Sequence, residues 1–160
     1  MVGPSSPAQH FSEQSQRMAN PVCEVLLTDA ELRLTPMTDG SGAVVEFWGV
    51  VRPLEDNREI GGIEYEAHPS MAEHQMNRIA RQALKKFSLL SVIIHHRVGF
   101  VPAGEASVLV RVTSRNRGEA YQANQWAMDE LKKNVPIWKR PIFKPDAQNP
   151  AIAAKKFSRL

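Results

Sequence analysis

The chain carries a single cysteine, Cys23, in 160 residues. That count excludes an internal disulfide and any cysteine-based metal cage. A lone thiol in the short apolar strand candidate Val22–Leu27, with no basic neighbour in sequence, reads as a packed side chain and not as a nucleophile. Long apolar runs are missing as well: none approaches the ~18 residues that cross a bilayer. Residues 1–20, MVGPSSPAQHFSEQSQRMAN, lack the apolar centre of a signal peptide, so a cytoplasmic protein is expected. There is no Gly-rich phosphate loop, no CxxC pair and no usable Ser/His/Asp order. His95 and His96 are adjacent in a strand-like stretch and must point to opposite faces, so they cannot share a metal. His68 and His74 have no acidic pattern around them. Neither a metal nor a cofactor is expected.

Apolar residues make up 42% and charged residues 23%, the composition of a soluble globular protein. The length gives room for one domain. Residues 1–20 are rich in Ser, Gln and Pro and are expected to be a disordered extension, with Met18 as an alternative start. The domain proper is expected over 21–143, followed by a tail, 144–160, of weak helical potential. Net charge is only +3, but beyond residue 108 the cations Arg111, Arg115, Arg117, Lys132, Lys133, Lys139, Arg140, Lys144, Lys155, Lys156 and Arg159 outnumber the acids. Such asymmetry points to an anionic partner: nucleic acid, a phosphorylated small molecule or an acidic protein surface.

Gly42–Arg52, GAVVEFWGVVR, is β-branched and aromatic and predicts a strand buried on both faces. The following PLEDNREIGG predicts a polar loop, and Ile63–Ala67 a strand. Ser70 with Glu73 forms a capping-box pattern opening a helix to about Phe87, with Met71, Met76, Ile79, Ala80, Ala83, Leu84 and Phe87 as its apolar stripe. Strands are predicted over Leu90–Val98 and Ser107–Thr113, a second helix over Arg117–Lys133, and an extended segment over Pro136–Phe143. The order β–β–β–α–β–β–α–β, with hairpin-length connections, argues for an α+β fold with a mostly antiparallel sheet and two main helices.

The most informative stretch is Asp129–Arg140, DELKKNVPIWKR. Lys132 falls near the end of the second helix, Pro136 stops that helix, and Lys139 follows on an extended segment. Cations on two elements joined by a break can converge on one anion; two ordinary surface charges are the other possibility. Tyr121, Gln125, Met128 and Lys132 share one helical stripe, with Arg117 near its start. Arg52 ends the most apolar strand, where a guanidinium can hold phosphate or carboxylate by two bonds. Arg115 and Arg117 flank Asn116 at a helix N-terminus, itself favourable to anions.

Several of these segments, in order, resemble the large, catalytic subunit family of molybdopterin synthase: Gly42–Arg52, IEYEAHPSMA (Ile63–Ala72), HRVG (His96–Gly99), GEASV (Gly104–Val108), SRNRGEAYQA (Ser114–Ala123) and Asp129–Arg140. The resemblance covers roughly residues 40–140 and is most specific at its L-K-x-x-x-P-x-W-K end. It implies an α/β hammerhead-type fold and a homodimer within a heterotetramer. Each large subunit would bind a small ubiquitin-like sulfur carrier, whose C-terminal Gly-Gly thiocarboxylate gives sulfur to cyclic pyranopterin monophosphate (precursor Z), building the molybdopterin dithiolene. In family terms Lys132 and Lys139 match the two essential lysines. Lys132 is assigned to steering the thiocarboxylate and stabilising the oxyanion, and Lys139 to the pterin side and proton transfer; the two roles are exchangeable. Arg52 and Arg117 match substrate-anion binders, Arg117 in the dimer mate's pocket. Val50, Val51, Asn116, Arg140 and Pro141 complete the implied substrate contacts.

The sequence departs from the family where His-Arg becomes Asn116-Arg117, where the glutamate after W-K-x becomes Pro141, and where the C-terminal Gly-x-x-Trp is not recognisable in 146–160. Two other functions fit the residues. One is a non-catalytic paralogue that keeps only the carrier. The other is a nucleic-acid-binding module with Tyr121, Trp126 and Trp138 as stacking platforms.

Overall fold

The structure, a computed structural model, describes residues 21–33, 36–37, 40–145 and 157–160. The expected disordered stretch 1–20 and most of the tail with helical potential lie outside the described residues. The elements are β1 (Val22–Thr28), β2 (Ala43–Val50), β3 (Leu54–Glu55), β4 (Arg58–Ala67), α1 (Pro69–Lys86), β5 (Ser91–Arg97), β6 (Gly99–Pro102), β7 (Ala106–Ser114), α2 (Arg117–Asn134), β8 (Ile137–Phe143) and β9 (Ser158–Arg159).

Four strands form one sheet in the order β1-β5-β7-β2; β1 runs parallel to β5 and the other pairs are antiparallel. A second, antiparallel sheet is built on β4, which pairs with β3, β6 and β8, while β8 also pairs with β9. The α+β class with two main helices and mostly antiparallel strands holds. Among the described residues no helix is long and apolar enough to cross a membrane.

Alternation along β5 and β7 sorts the core. Val92, Ile94, Val108, Val110 and Val112 face one way and join a buried cluster with Met76, Ile79 and Ala83 of α1, Ala123, Ala127 and Leu131 of α2, and Ile60, Ile63 and Tyr65 of β4. Ile93, Leu109 and Arg111 fall on the opposite face and are still buried. There Arg111 donates from Nε to Glu46 at 2.6 Å and from Nη1 to the Pro36 carbonyl at 3.3 Å. One cation of the basic half is thus an internal pair and not a free surface charge. Buried Asn124 of α2 fastens the helix to the sheet, its amide donating to the carbonyls of Val45 (3.2 Å) and Val110 (2.8 Å).

Four expectations are corrected. Gly42–Arg52 is not buried on both faces: β2 is an edge strand that stops at Val50, and Phe47 and Val50 are exposed. The polar loop after it is a hairpin, because Asp56 and Asn57 both adopt left-handed backbone (φ 50° and 59°) and so make a two-residue turn that pairs Glu55 with Arg58. α1 is opened by His68 as N-cap and Pro69 in the first turn, with no side-chain cap bond, so Ser70 lies inside the helix; Pro69 presets the first helical φ. Met71, placed on the apolar stripe, is 51% exposed.

Candidate active site

The helix–strand break works as the sequence implied. α2 ends where the Val135 N–H reaches the Leu131 carbonyl, and Val135, Pro136 and Ile137 are buried, so the chain turns inside the protein. Lys132 therefore projects from the last helical turn while Lys139 sits three residues into β8. In the β4–β8 ladder Tyr65 lies opposite Lys139, which puts both side chains on one face. Lys132 and Lys139 line a single cavity of about 290 Å³ together with Arg52, Glu55, Tyr65, Ser107, Val50, Val51, Ile63, Met128 and Leu160. Its walls are apolar and its charged side chains are three cations and one carboxylate.

A second depression of about 450 Å³ adjoins it, lined by Val45, Phe47, Tyr121, Gln125, Met128 and Lys132 among others. The helical stripe of Tyr121, Gln125, Met128 and Lys132 is therefore a real face, and it looks onto this depression. Phe47, Met128 and Lys132 border both spaces.

Other expected residues fall elsewhere. Arg140 is one residue from Lys139 on β8 and so points to the opposite face, stacking 4.6 Å over the Phe157 ring. Pro141 pairs with Ile63 and is buried outside the cavity lining. Asn116 and Arg117 are exposed at the start of α2 and do not line this cavity. Arg52 lines it, with 78% of its side chain exposed.

Several lining residues escaped the sequence, Tyr65 and the three described next among them. Ser107 is the extra residue of a β-bulge, since Gly49 pairs with Val108 and Val50 with Ala106. The bulge aims its hydroxyl inward, where it accepts from the Tyr65 hydroxyl and donates to the Gly49 carbonyl, both at 3.2 Å. Gly49 is required here because a Cβ would lie 2.4 Å from Val108 Cγ1. Glu55 is the third: its carboxylate lies 3.4 Å from Arg52 Nη2 and 3.6 Å from Lys139 Nζ. Only the D-N turn that follows it hinted at a fixed position.

Burial pushes the Tyr65 phenol above its usual range, the Ser107 bond opposes this and the Glu55 charge adds to it, so the hydroxyl stays protonated at neutral pH. Behind Tyr65, at 5.3 Å edge-to-face, lies His96. Its Nδ1 is 2.7 Å from the Arg97 carbonyl, which can only accept, so Nδ1 carries the proton of a neutral ring. Burial lowers its pKa to about 4, outweighing the carbonyl bond. His95 faces the other way, onto Glu24 at 2.6 Å. Cys23 is partly buried, and burial raises its thiol pKa.

The His96 shift gives a stability prediction. The folded pKa of about 4 lies below the unfolded value near 6.5, so the unfolded chain takes up the proton first as pH falls. His96 thus leaves stability intact above ~6.5 and erodes it down to ~4, by about 2 kcal/mol between pH 7 and pH 5. Urea titrations at the two pH values check this. His96→Gln should flatten the dependence, and equal slopes in both proteins would remove His96 as its source.

Among the described residues no group of three or more His, Cys, Asp or Glu side chains gathers that could hold a metal ion. Fold and site together define an α+β protein with a half-enclosed, apolar-walled, cationic cavity at a helix-to-strand junction, suited to an anionic ligand. The chain belongs to the MoaE protein family, whose model matches residues 24–134. It is similar to the molybdopterin synthase catalytic subunit of Pyrococcus abyssi, 39% identical over 105 residues that cover 66% of this chain and 71% of that protein. The Homo sapiens molybdopterin synthase catalytic subunit is 33% identical over 133 residues, 82% of this chain and 69% of that one. Among solved structures, molybdopterin synthase from Staphylococcus aureus superposes with a TM-score of 0.67 at 32% identity, covering 76% of this chain and 83% of that chain.

Proposed function

We propose that this chain is the catalytic subunit of a molybdopterin synthase, a sulfurtransferase of molybdenum cofactor biosynthesis acting in the cytoplasm as a homodimer within a heterotetramer. Its partner is a small ubiquitin-like sulfur carrier, and its substrate is precursor Z. The observation that carries this is the meeting of Lys132 and Lys139 in one cavity with Arg52. A thiocarboxylate and a phosphorylated pterin are both anions, and bringing them together needs positive charge on more than one side. Lys132 borders both cavities and so can reach both ligands.

In this scheme the carrier's tail enters the lysine cavity, and an ammonium group stabilises the oxyanion as sulfur leaves the acyl carbon. The second ammonium holds the pterin side and moves a proton. Val50 and Val51 wall the cavity. Arg117, on the exposed start of α2, would serve the pocket of a second copy, with Asn116 in place of the family's histidine. Arg140 and Pro141 would act by shaping β8.

The basic half does not favour nucleic acid. Arg111 is buried against Glu46, and Lys133, Lys139 and Lys144 are paired with Glu130, Glu55 and Glu59. Trp126 packs edge-on to Phe87 at 5.9 Å and is not a free platform. The test is reconstitution: purified chain, thiocarboxylated carrier and precursor Z should yield molybdopterin. Carrier binding without product would identify a non-catalytic paralogue.

A further inference from the structure

Glu55 is the one carboxylate side chain among the residues lining the lysine cavity. It stands at the end of β3, directly before the Asp56-Asn57 turn whose left-handed backbone fixes the hairpin. Its two oxygens face different cations, Oε2 toward Arg52 at 3.4 Å and Oε1 toward Lys139 at 3.6 Å. Both contacts are long for charge-assisted bonds, and the side chains are 78% (Arg52), 30% (Lys139) and 20% (Glu55) exposed. Pairs of this kind are weak and easily exchanged. Lys132, by contrast, has no ion pair among the described residues.

From this geometry we infer that Glu55 is an intramolecular competitor for the anion site. The proposal rests on the function given above and names a residue that sets how tightly the carrier's tail is held. A carboxylate or thiocarboxylate approaching Arg52 and Lys139 meets a group of its own charge already between them, and must displace it. Glu55 thereby weakens the grip on any anionic tail. When sulfur leaves the acyl carbon and a water oxygen takes its place, the tail ends as a carboxylate, which is still an anion. A cavity with three unopposed cations would hold that spent end; Glu55 offers the cations a replacement partner and lets it go. The same carboxylate sits close enough to Tyr65 for its field to be felt at the phenol, consistent with its facing the cavity floor.

The experiment is a binding titration with a synthetic peptide ending in Gly-Gly, made both as the free carboxylate and as the terminal amide. Glu55→Gln, which keeps the shape and removes the charge, should bind the carboxylate peptide about five-fold tighter than the unaltered chain. Glu55→Asp should bind it within about two-fold of the unaltered chain, because the charge remains. The amide peptide should not distinguish the three proteins. Equal or weaker carboxylate binding by Glu55→Gln overturns the inference, as does an absence of measurable binding by any of them. Reconstitution on the same preparations separates the two levels. If the unaltered chain makes molybdopterin and Glu55→Gln gains no affinity, only the competitor role falls. If affinity rises while the unaltered chain makes no product, the assigned activity falls and the competitor stands.

Discussion

Lys139→Ala is expected to lower the rate of molybdopterin formation by roughly two to three orders of magnitude, and Lys132→Ala to do the same. Each removes a cation from a cavity with apolar walls, where developing negative charge has few other partners. Neither change should unfold the protein. Lys132 is exposed and makes no ion pair among the described residues, and the Lys139–Glu55 contact at 3.6 Å is worth below about 1 kcal/mol. Single-turnover sulfur transfer from thiocarboxylated carrier, with thermal melts alongside, measures both. Rates within a few-fold of the unaltered chain in both variants would remove the lysines from the chemistry.

Gly62→Ala is expected to cost about 3 kcal/mol of stability. Gly62 lies in β4 between β6 and β8, and a Cβ there would sit 2.3 Å from the Val101 carbonyl oxygen and 2.6 Å from the Phe100 ring. The ring can swing aside, but the carbonyl belongs to the β6 ladder and can retreat only if that pairing opens. Gly61→Ala is the control, since its nearest atom, the Ile142 carbonyl oxygen, is 3.9 Å away. Urea midpoints should drop for Gly62→Ala and hold within about 0.5 kcal/mol for Gly61→Ala. Similar midpoints for the two would contradict the close approach of β4 and β6.

Much of this site was legible along the chain. The Lys132–Pro136–Lys139 spacing, the helical stripe through Met128 and the strand before Arg52 are local patterns, set by helix period, proline geometry and β-branching. They give the elements that carry Lys132, Lys139 and Arg52, which the folded chain brings to one cavity. Arg140 falls outside that cavity although it adjoins Lys139, because the two-residue period of a strand turns neighbours to opposite faces. Glu55 and Ser107 were illegible for another reason. One depends on a hairpin folding back toward β8, the other on a bulge opposite Gly49, and both are facts of pairing between distant segments.

The amino-acid order by itself determined the class of fold, the two helices, the helix–strand break and the cations that flank it, because each follows from interactions within a few residues. Only the tertiary structure decided which cations share a cavity and that a carboxylate is set between two of them. It also decided that Arg111 is an internal pair, not a contact for ligand. Charge acts through space and falls off with distance, so its meaning is fixed by which strands come to lie side by side.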